Sequence, residues 1–196
     1  MAARAGRNDV DRVRTAIIGA GAMGRQHAQW LAPIPEAQVV AIVDPHIPSA
    51  HKLAASAEAG TQVFAEVEPM LAAVAPEYVI VASPPRFHAE QSIAAFSAGA
   101  HVLCEKPLCM SVAEGQAMEM AAHKAGRLFT VGLQMRQSPA EQAVHRFLSD
   151  GGLGDIYHTR VWGGHIMSYP WGRYFHRADM SLGGVIAATT VHPLDA

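Results

Sequence analysis

Three glycines and one aspartate carry the first recognisable chemistry in this chain. Gly19, Gly21 and Gly24 stand as G-x-G-x-x-G, with Ala22 and Met23 before the last, at the end of the apolar run Thr15-Ala16-Ile17-Ile18. A strand that ends in such a turn and opens into a helix suits a dinucleotide pyrophosphate. The first glycine makes the tight turn, the second lets the backbone approach the ligand, and the third lets helix pack on strand. The amides and positive dipole end of the helix would face the phosphates. A second apolar run, Val39-Val40-Ala41-Ile42-Val43, ends in Asp44. Its spacing from Gly24 is the roughly 20 residues expected of an acid that binds a ribose hydroxyl. Such an acid repels a 2′-phosphate, so NAD is expected over NADP. No arginine follows Asp44, and the nearby His46 tempers the preference.

The other reactive side chains form no comparable pattern. Cys104 and Cys109 are too few and too awkwardly spaced for a disulfide framework or a zinc site. Cys104 closes an apolar run and reads as a small core residue. The 11 histidines include no H-E-x-x-H and no compact His/Cys cluster, so no metal is expected. Of 196 residues, 50% are hydrophobic and 16% charged, which suits a folded core. The net charge of −2, from 15 Lys and Arg against 17 Asp and Glu, offers no footprint for nucleic acid or an anionic membrane. No apolar run is long enough to cross a bilayer. Residues 1–13 read as a polar flexible arm without the apolar core of a secretion signal, and a cytoplasmic location is expected.

The elements that would position these residues alternate. Strands are expected at 14–19, 39–43, 61–64, 78–82, 100–104 and 128–132. Helices are expected from Ala22 to the Pro33/Pro35 stop, at 49–58 with Gly60 as C-cap, at 69–74, at 87–97, and from Ser111 to Gly126. Met23, His27, Trp30 and Leu31 would share a side of the first helix. Tyr78-Val79-Ile80-Val81-Ala82 is continuous rather than alternating, the mark of a strand buried on both faces. Ser83-Pro84-Pro85 then forces an extended turn, and Ser111-Val112-Ala113-Glu114 is a capping box. This alternation specifies an α/β fold, a doubly wound parallel sheet of the Rossmann type over residues 14–133. Beyond it, Ser138-Pro139-Ala140-Glu141 opens an amphipathic helix through Ala143, Val144, Phe147 and Leu148. A strand at 156–162 and a helix over 183–195 complete what reads as the start of an α+β substrate and oligomerisation domain, residues 134–196, apparently truncated.

Longer blocks of this sequence resemble the glucose–fructose oxidoreductase/inositol dehydrogenase (Gfo/Idh/MocA) family of nicotinamide-dependent oxidoreductases. They are the glycine turn with His27; Ser83-Pro84-Pro85 with His88; Ala98-Gly99-Ala100-His101-Val102-Leu103-Cys104-Glu105-Lys106-Pro107-Leu108; Gly151 to Ile156; and Gly183 to Asp195. The resemblance implies an NAD-dependent dehydrogenase acting on a secondary alcohol of a sugar, polyol or sugar-derived acid, and a homo-oligomer when full length. It implies that Glu105, Lys106 and Pro107 lie beside the nicotinamide, with Lys106 touching the reacting hydroxyl and Pro107 following a cis bond. Ser83, Pro84, His88 and Gln134 would line the cofactor side, and Gln134 and Arg136 would stand where family members place side chains toward the cofactor or cleft. The implied catalytic pair is Lys106 and His192. In the family an Asp usually stands four residues before that histidine, and here the position is Ala188. Without the acid, His192 reads either as a proton carrier or as a structural histidine. Two other readings stay open: a non-catalytic nucleotide-binding regulator, and an enzyme that recycles tightly held NAD within each turnover. His165, Tyr169, Trp171 and Arg173 form a loop that reads equally as a sugar contact or as plain surface.

Overall fold

The computed structural model describes residues 12–160, 174, 177–184, 187 and 190–195. Six parallel strands form one sheet: β1 (Val13–Ile18), β2 (Ala37–Val43), β3 (Gln62–Phe64), β4 (Tyr78–Val81), β5 (His101–Cys104) and β6 (Phe129–Val131). Their spatial order is β3-β2-β1-β4-β5-β6. The helices are α1 (Ala22–Leu31), α2 (Ile47–Ser56), α3 (Val67–Val74), α4 (His88–Ser97), α5 (Val112–Ala125), α6 (Pro139–Ser149) and α7 (Val191–Asp195). The order reverses between β1 and β4. At that switch the following turns diverge to opposite faces and leave a crevice at the carboxyl ends of the strands.

Strand alternation builds two cores. Ala16, Ile18, Val43, Val79, Val81 and Val102 face α3, α4 and α5, meeting Met70, Val74, Phe96 and Met118. Ile17, Val39, Ile42 and Ile80 face α1 and α2, meeting Ala28, Ala50 and Leu53. Large side chains buried this fully contribute about 1.5–3 kcal/mol each. The edge strand β6 is held by Phe129, whose ring meets Phe96 edge-on at 5.2 Å. The β1–β2 register slips between Thr15 and Ala16, which skips Val40.

Several local signals act as the sequence implies. The Ser111 hydroxyl accepts from the Glu114 amide at 3.2 Å, and Gly126 ends α5 at φ +63°. The reciprocal half of the box is displaced by one residue, because the Glu114 carboxylate accepts from the amide of Met110 rather than Ser111. Trp30 shares a side of α1 with His27 as expected, their rings edge-on at 5.3 Å, and is 48% exposed. Three expectations need correction. Helix α2 ends at Ser56 with Ala57 as its cap, so Gly60, at φ +91°, serves the turn into β3 rather than the cap. The Ser138 hydroxyl makes no cap bond to α6, although Pro139 does open it. Ile156 to Arg160 form no strand, because no neighbouring strand among the described residues pairs their amides and carbonyls, and Tyr157 is 98% exposed. Val161 and Trp162 lie outside the described residues. The final helix is described as α7, with π-type turns at Ala187 and Thr190; the intervening 185, 186, 188 and 189 lie outside the described residues.

Candidate nucleotide and proton-transfer site

The glycine turn leaves β1 at the switch point. Gly19 has φ +102°, and a Cβ there would stand 2.6 Å from the Ala82 carbonyl oxygen. A Cβ on Gly24 would stand 1.8 Å from the Gly19 carbonyl oxygen, so this glycine permits the helix to start against its own strand. Gly21 differs. Nothing lies within 4 Å of its Cβ position, and as N-cap of α1 it supplies no side chain to the first amides. Those amides, with exposed Ala22 and half-buried Met23 beside them, are available to an anion. One turn on, Arg25 donates to the Ala20 carbonyl at 3.0 Å and adds a cation beside the turn.

Asp44 ends β2 and braces the turn. Its Oδ2 accepts from the Ala20 amide at 2.8 Å and its Oδ1 from the His46 amide at 2.8 Å. Each oxygen keeps a second lone pair for a ribose hydroxyl. The His46 ring meets the Ser49 hydroxyl at 2.8 Å. Across the switch, Ser83 and Pro84 leave β4, and the Ser83 hydroxyl donates to Gln91 Oε1 at 2.6 Å.

The Lys106 loop leaves β5 between two buried histidines. Glu105 is 5% exposed and His27 7%, and their side chains meet at 2.8 Å. The other Glu105 oxygen accepts from the Lys106 amide at 3.1 Å. Gly132 makes room for this carboxylate, since a Cβ there would stand 3.0 Å from it. The Lys106–Pro107 bond is cis. His88, 1% exposed, meets the carbonyls of Pro107 at 3.0 Å and Leu108 at 3.3 Å through Nδ1, and that of Ser83 at 2.7 Å through Nε2. Burial holds its pKa below the ordinary histidine value, against the pull of those carbonyls and of Glu105.

Residues 13–133, comprising this sheet and both turns, match the family model described as an oxidoreductase family with an NAD-binding Rossmann fold. The chain belongs to the Gfo/Idh/MocA oxidoreductase family. It is 32% identical over 185 residues to D-glucoside 3-dehydrogenase of Escherichia coli K12, covering 94% of this chain and 52% of that protein. Among solved structures it is similar to the WlbA dehydrogenase of Bordetella pertussis, determined with NADH and UDP-GlcNAcA (TM-score 0.70, 28% identity, 74% of this chain and 44% of that one). GenD2 from gentamicin A biosynthesis, determined with NAD, shares the fold over 100% of this chain and 55% of its own (TM-score 0.81, 23% identity). The chain thus spans about half the length of these relatives.

His192, from the last family block, lies within electrostatic reach of the same loop. His192 is half-buried and feels the charges of Lys106, Glu105 and Asp195; burial first, and then Lys106, press its pKa down. Its Nδ1 is buried and has no hydrogen-bond partner among the described residues. Arg136 lies on the 3-10 turn Gln134–Gln137 after β6. It grips Asp195 through two bonds of 2.7 and 2.5 Å, tying α7 to the end of the sheet. Gln134 opens that turn and is exposed. Ala188 and the loop of His165, Tyr169, Trp171 and Arg173 lie outside the described residues. Sequence reasoning gave no role to Arg25 or to the His27–Glu105 pair. The available signal was position: His27 lies three residues after Gly24 on the buried face of α1, and Glu105 directly precedes Lys106. Among the described residues no three His, Cys, Asp or Glu side chains are grouped to hold a metal, and no helix is long and apolar enough to cross a membrane.

Proposed function

We propose that this chain carries the NAD site and the proton-handling lysine of a dehydrogenase acting on a secondary alcohol of a sugar, polyol or sugar-derived acid. One observation carries the reading. Lys106 leaves β5 on a loop held from both sides, on the same sheet edge as the glycine turn and within electrostatic reach of His192. The residues present fit the dinucleotide: Gly21 leaves its approach open, uncapped amides wait at α1, and Asp44 stands at the ribose position. NAD, when bound, supplies the hydride acceptor.

The chain's own residues do the rest. The α1 amides and Arg25 hold pyrophosphate, and Asp44 accepts from a ribose hydroxyl and disfavours a 2′-phosphate. Lys106 in its neutral form takes the substrate hydroxyl proton at Nζ and returns it in the reverse direction. Once Lys106 is charged, burial and that charge keep His192 neutral, so it can accept the proton in turn. A proton-transfer group is worth about 10²–10⁴-fold in rate. Lys106→Ala should therefore cut NADH formation in a screen of sugars and inositols by that order, while NAD affinity stays within about threefold. A Lys106→Ala protein with the parent rate would remove the lysine from the reaction.

The Nδ1 of His192, without a partner among the described residues, together with Ala188 in place of the usual acid, favours a second reading: a chain that binds NAD without turning over. Bound NAD with no NADH from any sugar or polyol would select it.

A further inference from the structure

We propose that His88 is a positioning residue that ties the Ser83–Pro84 turn to the Lys106–Pro107–Leu108 loop, so that whatever binds against the first sets the place of the second. This rests on the dehydrogenase reading of the same site. His88 opens α4, so its backbone is fixed by the helix that follows the Ser83 turn. Its ring is enclosed, and its three hydrogen-bond contacts among the described residues are all to main-chain carbonyls. Two belong to the loop that carries Lys106 and one to the turn after β4. The two turns flank neighbouring strands, β4 and β5, and no backbone hydrogen bond joins Ser83 to residues 106–108 among the described contacts. The imidazole is the bridge.

The chemistry of the ring makes the bridge conditional. A neutral imidazole has one N–H and one lone pair, so it donates to one turn at a time. The other turn then presents carbonyl oxygens to a lone pair, an arrangement without attraction. Protonation would satisfy both sides, with Glu105 as the one ionisable group whose charge His88 feels among the described residues, while enclosure opposes the charge. The single proton is thus shared between the nucleotide-side turn and the lysine loop. A change at either turn alters which carbonyl the ring serves.

Asparagine places an amide near the Nδ1 position and glutamine near Nε2, so the two halves of the bridge can be cut separately. The experiment is amide hydrogen exchange by mass spectrometry on the whole chain, without ligand, for parent, His88→Asn and His88→Gln. His88→Asn should speed exchange about tenfold in the segment 82–86 and leave 105–110 near the parent rate. His88→Gln should do the reverse. The amide of Ile80 within β4 serves as the stability control and should not move. Equal effects on both segments in both variants, or none, would overturn the proposal and leave His88 a space-filling core residue. If neither variant folds, the parent decides: its ring N–H should give a nitrogen-15 resonance protected from solvent exchange, and a rapidly exchanging ring overturns the bridge. Calorimetry with NAD on the parent tests the dehydrogenase reading separately, since the exchange experiment needs no cofactor.

Discussion

Lys106 owes its place to the buried side chains around its loop. Glu105 fixes the lysine amide and is itself held by His27, while His88 grips the two carbonyls that follow. The same enclosure has a pH signature. His88 and His192 both have pKa values depressed by burial, so the unfolded chain binds more protons than the folded one below the ordinary histidine value of about 6.5. Their share of stability is complete above that pH and falls as the pH drops below it. Urea midpoints should therefore decline from pH 7 to pH 5, before the carboxylates lowered by Arg12, Arg136 and Arg177 begin to titrate. His88→Gln should flatten the slope. A midpoint that rises on acidification over this range would contradict the assignment.

Helices and turns divide into those whose burial matters and those that lie uncovered. A Cβ at Gly24 meets backbone at 1.8 Å, whereas at Gly21 it meets nothing. Gly24→Ala should cost about 3 kcal/mol or more in urea unfolding, and Gly21→Ala should leave stability nearly intact while weakening NAD. Similar unfolding midpoints for the two would refute the distinction. A parallel contrast holds for aromatics. Phe96 is 1% exposed and Phe147, on α6, is 54% exposed. Phe96→Ala should cost about 3–5 kcal/mol and Phe147→Ser about 0.5 kcal/mol or less, both read from the same titrations. These elements also mark what was legible in the sequence. The six strands, the glycine turn and the Ser111 cap are local or periodic signals, and they could be read, whereas the cis bond before Pro107 is implied only by the family resemblance. Pairing and burial are not local. Ile156 to Arg160 has strand-like composition but no neighbour among the described residues, and α6 has an apolar stripe that those residues leave open. Likewise the roles of His27, Glu105 and Arg136 depend on partners 78 and 59 residues away.

At the scale of the molecule, one sheet edge gathers everything the reading needs. The glycine turn, Asp44, the Ser83 turn, the Lys106 loop and α7 all stand at the carboxyl ends of parallel strands, around the β1/β4 switch. The sheet and both its cores lie within 13–133, the span of the family match, so nucleotide binding should not depend on the remaining residues. The most direct test is calorimetric titration of the 196-residue chain with NAD and with NADP. One NAD site is expected, tighter than NADP by about tenfold or ~1.4 kcal/mol, with the gap closing in Asp44→Ala. Equal or tighter binding of NADP by the unmodified chain, or no binding of either, would contradict the account.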